Sequence, residues 1–404
     1  MRWTAKENMK TFLRLLKEKK IKMEPIITQV FDFNKAVEVY EKLYKGELKG
    51  AIGIAFKYSP INDIERLRKE HMVIEIKPAM RTSKAKEEKK DKVRIGFIGA
   101  GQHAQGTLLP ILKKMKDLEL VGVATTTPAK VAQIAKRWGF KYATTNPDKI
   151  IEDPDIDAVF VVTRHDTHAY YTVKALEAGK YVFVEKPLAV TLEQLEQVRK
   201  TLEKNPGKLM IGFNRRYAPY TQEAKKILQN RTEPITMLIR VNAGYTPQDH
   251  WIYDPKQGGG RIISETCHFI DLAIYLTESK PIDYTVTVMN KAPRYHITDN
   301  HIITLKHEDG SIATIVYTSQ GTRAYPRELI EIFAQETAIN INNFRTLSIK
   351  GKNKKKHTNI FGADRGHKRM LEFFIGQVKS SEEIPETLES SYWTIRIVKN
   401  ILNK

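Results

Sequence analysis

Residues 93–108 read VRIGFIGAGQHAQGTL, a short apolar run followed by a glycine-rich turn that leads into a helical pattern. The run Val93–Ile98 predicts a buried strand. Gly99, Gly101 and Ala104 fit the pattern G-x-G-x-x-G/A. The first glycine permits a tight turn, the second lets the backbone approach a pyrophosphate, and the small third residue lets strand and helix pack closely. Because the helix N-terminus then faces the phosphates, the stretch predicts a dinucleotide-binding strand–loop–helix unit.

Beyond this motif the apolar pattern alternates between strand and helix. Three further runs have the length of buried strands: 118–124, 158–162 and 181–184. Helical spacing of apolar residues is found between them: 108–115, 131–138 and 171–178. Strands that alternate with helices predict an α/β domain with a parallel, doubly wound sheet of the Rossmann type.

From about residue 235 the pattern changes to a series of short strands. The runs are 235–241, 284–288, 302–305, 312–316 and 329–332. Asp309-Gly310 lies between two of them and is a hairpin signal. This pattern predicts an α+β domain with an open, mostly antiparallel sheet. Two helices, at 366–378 and 388–402, are expected to close the chain.

The first 58 residues predict a helix, a second helix and a strand. Thr4 and Glu7 have the spacing of a capping box. Asn34 is placed to cap the second helix, and residues 52–58 alternate as a strand would. This segment has too little apolar material for an independent core. Residues 77–92 are rich in both charges and predict a solvated linker.

The chain of 404 residues therefore has room for two or three domains. We predict four parts: an N-terminal segment, 1–58; a linker, 59–92; a dinucleotide-binding domain, 93–212; and a substrate and oligomerisation domain whose C-terminal helices pack back, 213–404.

Composition narrows the class of protein. The chain carries 67 Lys and Arg against 47 Asp and Glu, a net charge of +20. Such a surplus can indicate nucleic acid, an acidic membrane surface or phosphorylated ligands. The lysines are scattered, however, and aromatic residues do not interleave with them as in a single-strand binder. We therefore attribute the charge to a lysine-coated surface and expect no nucleic-acid partner.

Apolar runs and cysteine usage bear on the compartment. No apolar run reaches the about 18–20 residues of a membrane helix, and the first residues lack the apolar core of a signal peptide. Cys267 is the single cysteine, which excludes an intrachain disulfide and a cysteine-rich zinc site. We expect a cytoplasmic protein without a membrane span.

Polar residues follow directly after several predicted strands, where doubly wound sheets bind their ligands. Thr125 and Thr126 stand about where an acidic ribose ligand is expected, and no acid is present. The missing carboxylate removes repulsion against a 2′-phosphate, and Lys130 adds a cation. This favours NADP over NAD, although threonines also suit a plain ribose. The other candidate cofactor ligands are Gln102, His103, Thr163, Arg164, His168 and Glu185.

Two residues are candidates for acid–base chemistry. Lys186 ends a strand and is expected close to the cofactor, although a surface lysine in a turn is the alternative. His268 follows a run of three glycines and has Glu265 three residues before it and Asp271 three residues after it, on one helix face. A carboxylate can orient the imidazole, which carries protons well near neutral pH. The pattern fits no zinc signature, and we predict no metal.

Substrate contacts are predicted from the residues that follow strand 209–212. Arg215 and Arg216 could bind a carboxylate or phosphate, or form a salt bridge between domains. The other candidate contacts are Tyr217, Trp251 and Asp271.

Together these motifs resemble the Gfo/Idh/MocA family of oxidoreductases, from about residue 93 to the C-terminus. The anchors are GFIGAGQHAQGTLLP, VVTRHDTH, VEKPLA, GFNRRYAP and GGGRIISETCHFIDL. The resemblance implies an NAD(P)-dependent oxidoreductase that moves a hydride to or from a secondary alcohol or ketone of a sugar, inositol or nucleotide sugar. It implies that Lys186 assists proton transfer or orients the substrate, that His268 is the family histidine, and that the open sheet forms homo-oligomers.

One position departs from the family pattern. The family often has an Asp four residues before the histidine, and this chain has Ser264 there, with Glu265 next to it. The hypothesis is that Glu265 takes over this role in catalysis, and the catalytic pairing stays open.

Residues 2–58 resemble the end of a medium-chain, zinc-type alcohol-dehydrogenase-like reductase. Such a reductase is fused ahead of a Gfo/Idh/MocA domain in some bacteria and archaea, often in surface-polysaccharide gene clusters. The nucleotide-binding motif and the zinc ligands of that reductase are absent here. The resemblance implies a remnant that packs on a partner chain carrying the missing part.

Other functions stay open on sequence alone. A non-catalytic regulator could keep the fold and sense cofactor or sugar, but the presence of both Lys186 and His268 argues against it. A glycosidase that works through a transient ketone and holds NAD tightly would use the same residues.

Overall fold

The computed structural model describes residues 4–48, 50–58, 73–75, 92–289, 291–351 and 354–402. The chain divides into two compact units, one up to residue 71 and one from residue 72 onward. The predicted linker at 59–92 lies largely outside the described residues.

Within its described residues, the first unit contains two α-helices, a short 3-10 helix and a small parallel sheet. Its elements are α1 (Ala5–Lys17), β1 (Ile27–Asp32), α2 (Ala36–Tyr44) and β2 (Gly53–Lys57), with β1 parallel to β2. The Thr4 side chain accepts a hydrogen bond from the Glu7 N–H at 3.2 Å, so the predicted N-cap of α1 is confirmed. The prediction that Asn34 is the N-cap residue of α2 is wrong, because a short 3-10 helix, Phe33–Lys35, leads into α2 and Lys35 takes the N-cap position.

The sequence prediction for this unit also missed β1. Its residues ITQVFD do not alternate regularly between apolar and polar, and the strand is largely exposed. The strand β1 is defined by its pairing with β2, about 25 residues further along the chain, and a local sequence pattern cannot reveal such pairing.

A seven-stranded sheet forms the first layer of the second unit. Its strands are β3 (Val73–Glu75), β4 (Val93–Ile98), β5 (Leu118–Ala124), β6 (Tyr142–Thr144), β7 (Ala158–Val161), β8 (Tyr181–Val184) and β9 (Leu209–Ile211). The order is β3-β6-β5-β4-β7-β8-β9, and every pair from β6 to β9 is parallel. β3 is antiparallel to β6 and lies inside the predicted linker, which is a correction.

Helices cover both faces of this sheet, which is why its central strands are mostly apolar. A helical segment with π geometry at Ala104–Leu108 continues into α3 (Leu109–Leu112). The following helices are α4 (Pro128–Trp138), α5 (Pro147–Ile151), α6 (His165–Glu177) and α7 (Leu192–Lys204). In the core, the Phe97 and Phe160 rings stack with centroids 4.8 Å apart.

The second layer is an eight-stranded sheet. Its strands are β10 (Thr236–Asn242), β11 (Pro281–Val288), β12 (His301–His307), β13 (Ile312–Thr318), β14 (Glu328–Ala334), β15 (Thr337–Asn342), β16 (Thr346–Lys350) and β17 (Lys355–Thr358). The order is β11-β12-β13-β10-β14-β15-β16-β17, and only the β10–β13 pair is parallel. The predicted fold class, a Rossmann-type sheet followed by a mostly antiparallel sheet, is confirmed.

Four further helices complete this unit. They are α8 (Pro219–Leu228), α9 (Cys267–Thr277), α10 (His367–Ser380) and α11 (Glu389–Leu402). Helices α8, α9 and α11 pack against one face of the large sheet. Helix α10 packs on the seven-stranded sheet, where the ring centroids of Phe374 and Phe160 lie 5.4 Å apart. Among the described residues, no helix is long and apolar enough to cross a membrane.

Among the described residues of this unit, the opposite face of the large sheet stays partly exposed, and we call it the open face. Strand pairing places four partly exposed apolar residues on it: Leu238, Ile302, Ile312 and Phe333. The alternation of buried and exposed residues along β12 and β13 is typical of a sheet with one covered face.

Candidate active site

The glycine loop after β4 has the geometry that a dinucleotide site requires. Gly99 has φ of +86°, and a Cβ there would lie 2.4 Å from the Val162 carbonyl oxygen. At Gly101 a Cβ would meet no atom within 4 Å, so the space beside this backbone is open. Ala104 is fully buried where helix and sheet meet. Because the chain becomes helical right after Gly101, these residues fit the pyrophosphate of a dinucleotide.

Threonines end β5, next to this loop. Thr125 is half-buried and its N–H bonds the Thr144 carbonyl oxygen at 3.2 Å, whereas Thr126 and Lys130 are exposed. These side chains are therefore accessible to solvent and carry no carboxylate of their own.

Glu185 ends β8 and lies buried beside the glycine loop. Its Oε1 is 3.1 Å from Nε2 of His103, and a Cβ on Gly212 would approach its Oε2 to 3.1 Å. Burial alone would raise the pKa of Glu185, but the hydrogen bond and charge of His103 outweigh burial and lower it. Glu185 is therefore an anchored carboxylate at the cofactor edge.

Lys186 follows Glu185 directly, and its side chain contacts the chain segment that leads into α9. Its Nζ donates a short hydrogen bond to the Ser264 carbonyl oxygen, and its peptide bond to Pro187 is cis. Ser264 belongs to a π-helical turn, Ile262–Thr266, that runs into α9. The contact therefore joins the end of β8 to the element that carries His268.

His268 lies in the first turn of α9 and is 7% exposed. Its Nδ1 is buried without a hydrogen-bond partner among the described residues. Burial lowers the pKa of His268 well below its usual value, and the charges of Arg215 and Lys186 lower it further. The imidazole is therefore neutral at physiological pH.

Neither carboxylate predicted to tune His268 is bonded to it. Glu265 forms ion pairs with Arg261 and Arg327, at 3.2 Å and 2.7 Å, and accepts a hydrogen bond from the Tyr317 hydroxyl. Asp271 is fully buried and bonds Arg216 instead. The predicted pairing, and the predicted substrate contact of Asp271, are corrected because arginines occupy these carboxylates: Arg261 and Arg327 pair with Glu265, and Arg216 pairs with Asp271.

Comparison with protein families covers both layers of the second unit. Residues 93–213 match the model of an oxidoreductase family with an NAD-binding Rossmann fold, and residues 221–340 match the Gfo/Idh/MocA C-terminal domain. The chain belongs to the Gfo/Idh/MocA family. It is therefore an oxidoreductase that uses NAD(P) and acts on CH–OH groups.

Relatives of known name agree with this assignment. Inositol 2-dehydrogenase of Rhizobium meliloti is 30% identical over 272 residues, covering 64% of this chain and 78% of the relative. Myo-inositol 2-dehydrogenase of Thermotoga maritima is 26% identical over 267 residues, covering 64% and 77%. The structure of a levoglucosan dehydrogenase with NADH and levoglucosan has a TM-score of 0.67 at 20% identity, covering 77% of this chain and 96% of that chain, which shows a shared fold.

Within this Gfo/Idh/MocA site, the two arginines that follow strand β9 form hydrogen bonds to carboxylates of the protein itself. Arg215 is buried and donates two hydrogen bonds to Glu328, at 3.0 Å and 2.8 Å. Arg216 bonds Asp271 and Glu386. Both arginines therefore form salt bridges, but with carboxylates of the same predicted domain, 213–404, and not between domains. The prediction that Arg215 contacts substrate is corrected. Tyr217 is half-buried against Phe373, with ring centroids 5.6 Å apart.

His168 has a different position from the one predicted. It is 1% exposed, with Nδ1 2.7 Å from the Pro187 carbonyl oxygen and Nε2 3.2 Å from that of Thr163. Burial lowers its pKa. Both ring nitrogens thus face backbone carbonyls of the Gfo/Idh/MocA site rather than a ligand. Because a neutral imidazole carries one N–H, His168 donates a hydrogen bond to one of the two carbonyls and packs against the other.

His165 is a functional candidate that the sequence analysis missed. Its Nδ1 lies 3.1 Å from the Gly258 carbonyl oxygen, and burial lowers its pKa to about 3, so neutral His165 donates this bond. Trp251 packs edge-on against it at 4.9 Å and carries the Arg164 guanidinium on its face at 4.8 Å. The only sequence signal was the position of His165 after a parallel strand.

The three glycines before His268 are explained by protein contacts. A Cβ on Gly258 would lie 2.2 Å from the Ile252 carbonyl oxygen, and a Cβ on Gly260, where φ is +83°, would lie 2.8 Å from Thr298 Oγ1. They let the loop turn tightly toward His165 and α9. Among the described residues, no group of three or more His, Cys, Asp or Glu side chains could hold a metal ion.

Proposed function

We propose that this chain interconverts a secondary alcohol and the matching ketone on a sugar-like or inositol-like ring. The observation that carries the proposal is the meeting of Lys186, from the end of β8, with the π-helical turn that leads to His268, beside the glycine loop. Inositol and levoglucosan, the compounds in the names of the relatives, both present secondary ring hydroxyls.

Lys186 is the group that we propose binds the reacting oxygen. An ammonium has three donor hydrogens, and one is used by the Ser264 carbonyl, which leaves donors for a substrate oxygen. A positive charge there stabilises the alkoxide character that develops as an alcohol is oxidised. Bound nicotinamide supplies or accepts the hydride.

His268 is the group that we propose exchanges the proton. As a neutral imidazole it has a lone pair that can accept the hydroxyl proton. The nearby charges of Arg215 and Lys186 disfavour a lasting positive charge on the ring, so the proton would pass onward rather than stay. Glu265 would act indirectly. Its carboxylate is fixed by ion pairs with Arg261 and Arg327, and its backbone belongs to the same π-helical turn as Ser264.

The test is a fluorescence titration of the purified chain with NADH and NADPH, followed by a screen of inositols, anhydrosugars, free sugars and nucleotide sugars. The proposal expects cofactor binding and turnover of at least one ring alcohol, and loss of turnover in H268N with unchanged cofactor affinity. Cofactor binding without turnover of any ring alcohol would contradict the substrate class.

We propose further that the cofactor site prefers NADPH. The support is the end of β5, where Thr125 and Thr126 replace the acid expected for NAD and Lys130 lies exposed nearby. The remaining candidate ligands of the cofactor are Gln102, Thr163, Arg164 and Glu185, all of which follow strands of the parallel sheet or start the helix after Gly101.

For the first unit we propose a remnant of a medium-chain reductase that binds a partner chain carrying the missing part. Exposed apolar side chains on α2 and the strands support it: Val30, Phe33, Val37, Tyr40 and Tyr44. Size measurement of the chain expressed with and without a medium-chain reductase from the same genome tests this. The absence of any complex would contradict it.

We also propose that the open face of the large sheet forms a homo-oligomer. Leu238, Ile302 and Phe333 lie partly exposed on one sheet face, and such patches favour association. Light scattering measures the mass of the wild type and of L238K/F333K, and we expect an oligomer for the wild type and a smaller species for the variant. A monomeric wild type would contradict the proposal.

A further inference from the structure

His103 is the first ionisable side chain after the glycine loop. It lies two residues beyond Gly101, in helical backbone, and its side chain is 45% exposed although part of the ring is covered. Nε2 faces Oε1 of Glu185 at 3.1 Å. In the part of the chain that the structure describes, Nδ1 of His103 has no hydrogen-bond partner. One ring nitrogen is therefore fixed by the protein and the other is available.

Glu185 gives this imidazole its orientation and a preference for carrying charge. The carboxylate is 7% exposed and packs on the backbone of Gly212, so it has little freedom to move. Burial would lower the pKa of His103, but the hydrogen bond and charge of Glu185 outweigh burial and raise it. A histidine oriented by a buried carboxylate is thus placed beside a loop that fits a pyrophosphate.

We propose that His103, held by Glu185, carries a proton when it faces the pyrophosphate of the dinucleotide, so that cofactor binding takes up a proton. A second positive hydrogen-bond donor beside the helix N-terminus strengthens the binding of an anion. The inference rests on the NAD(P) assignment and not on the identity of the substrate. His103 would thereby make cofactor affinity fall as the pH rises through neutrality.

The other groups around His103 do not reproduce this titration. Lys186, in the loop after β8, lowers the pKa of His103 by its charge. His367, at the start of α10, has its ring centroid 6.1 Å away, and burial lowers its pKa to about 4. His268, on α9, has a pKa far below its usual value, again because of burial. Both of these histidines stay neutral in the range where His103 changes charge.

The experiment measures the dissociation constant of NADH by nicotinamide fluorescence between about pH 6 and pH 9, a range that spans the titration of a histidine. For the wild type we expect the constant to rise about tenfold, which corresponds to a shift of about one unit in the pKa of His103 on binding. For H103Q we expect the constant to be nearly independent of pH. A flat wild-type profile would overturn the proposal.

Two comparisons exclude misfolding as the cause and test the role of Glu185. Near pH 9 the wild type and H103Q should bind NADH equally well, because His103 is then neutral, whereas a misfolded variant would bind weakly at every pH. E185Q keeps a hydrogen-bond acceptor but removes the charge, so its transition should move to lower pH. A transition that does not move in E185Q would contradict the role of Glu185.

The ligand that carries the effect can be identified by competition. ADP-ribose contains the pyrophosphate without nicotinamide and does not titrate in this range, so its displacement of NADH should show the same pH dependence. Adenosine should show none. A pH effect confined to NADH would mean that His103 faces the nicotinamide end, and would overturn the assignment to the pyrophosphate. If the wild type binds no dinucleotide at any pH, the cofactor assignment itself fails.

Discussion

His165 donates a hydrogen bond from Nδ1 to the carbonyl oxygen of Gly258 at 3.1 Å. The bond joins the loop after β7, at the cofactor edge, to the loop that leads into α9 and His268. Hydride transfer requires a fixed distance and orientation between the cofactor, which binds the Rossmann-type sheet, and the acid–base groups. A misplacement of about 1 Å can reduce turnover about 100-fold. We therefore regard His165 as a positioning residue.

Replacing His165 by Leu should reduce kcat more than it changes the affinity for NADH. The Gly258 carbonyl would lose its donor, at a cost of about 1–3 kcal/mol in the free energy of unfolding. H165N is the matched control, because an Asn amide can donate a similar bond, and it should retain most of the turnover. Steady-state kinetics measures the turnover of H165L and H165N, and thermal melting measures their stability. Equal kcat in H165L and the wild type would exclude the positioning role.

Replacing Gly101 by Ala should weaken cofactor binding without unfolding the protein. A Cβ at this position meets no protein atom within 4 Å, so the methyl group would occupy the space where the pyrophosphate is expected. We expect the affinity for NADH to fall at least about tenfold and the Tm to stay the same. G106A is the control, since a Cβ at Gly106 is equally free of contacts but lies one turn further along the helix. Normal NADH binding by G101A would place the cofactor elsewhere.

Replacing Thr125 by Asp should shift the cofactor preference toward NADH. The added carboxylate can bond the ribose hydroxyls of NADH and repels a 2′-phosphate. A repulsion of ~1.4 kcal/mol, modest for two charges near a protein surface, weakens NADPH binding about tenfold. Titration of both cofactors against the wild type and T125D measures the change. A ratio that does not move would show that this end of β5 does not contact the ribose.

The buried ion pair of Arg215 and Glu328 should control stability in acid. Burial would raise the pKa of Glu328, but Arg215 and Arg365 outweigh it and lower the pKa to about 2. Because the pKa is lower in the folded state, the stabilisation is present above the unfolded value of about 4.3 and is lost as the pH falls toward 2.

Replacing Glu328 by Gln should therefore destabilise the protein and remove this part of its acid sensitivity. Loss of one partner leaves the Arg215 charge buried, which costs about 3–5 kcal/mol. Urea unfolding at neutral pH and at about pH 4 checks both expectations. E223Q is the control, since Glu223 pairs with Lys355 at the surface, where ion pairs contribute about 0–1 kcal/mol. Equal losses in the two variants would contradict the account.

The parts of the fold and site that follow local pattern were predictable from the sequence. Val93–Ile98 and the glycine loop are defined by residues within a few positions of one another, so the dinucleotide unit was evident. Lys186 and His268 were singled out because Lys186 follows a strand and His268 comes eight residues after a run of glycines, and the structure brings Lys186 to the turn that leads into His268. The candidate site was thus predictable to the extent that its chemistry lies at element ends.

Contacts between distant segments account for what the sequence did not reveal. Asp271 lies three residues from His268 on a helix, and the spacing suggested a pair, but Arg216, 55 residues earlier, is its partner. β3 has three residues and exists through its pairing with β6. The sequence analysis also missed β15, although Ile and Asn alternate in it as in a half-buried strand, and it pairs antiparallel with β14.

The central claim, that Lys186 acts on the reacting oxygen, is tested most directly by K186M. The variant removes the ammonium, keeps the length of the side chain and leaves the glycine loop untouched. We predict that turnover of the ring alcohol found in the screen falls about 10²–10⁴-fold while the affinity for NADH is retained. K208M, at the opposite edge of the same sheet, is the control and should turn over normally. Turnover by K186M at the wild-type rate, with the same affinity for NADH, would contradict the account.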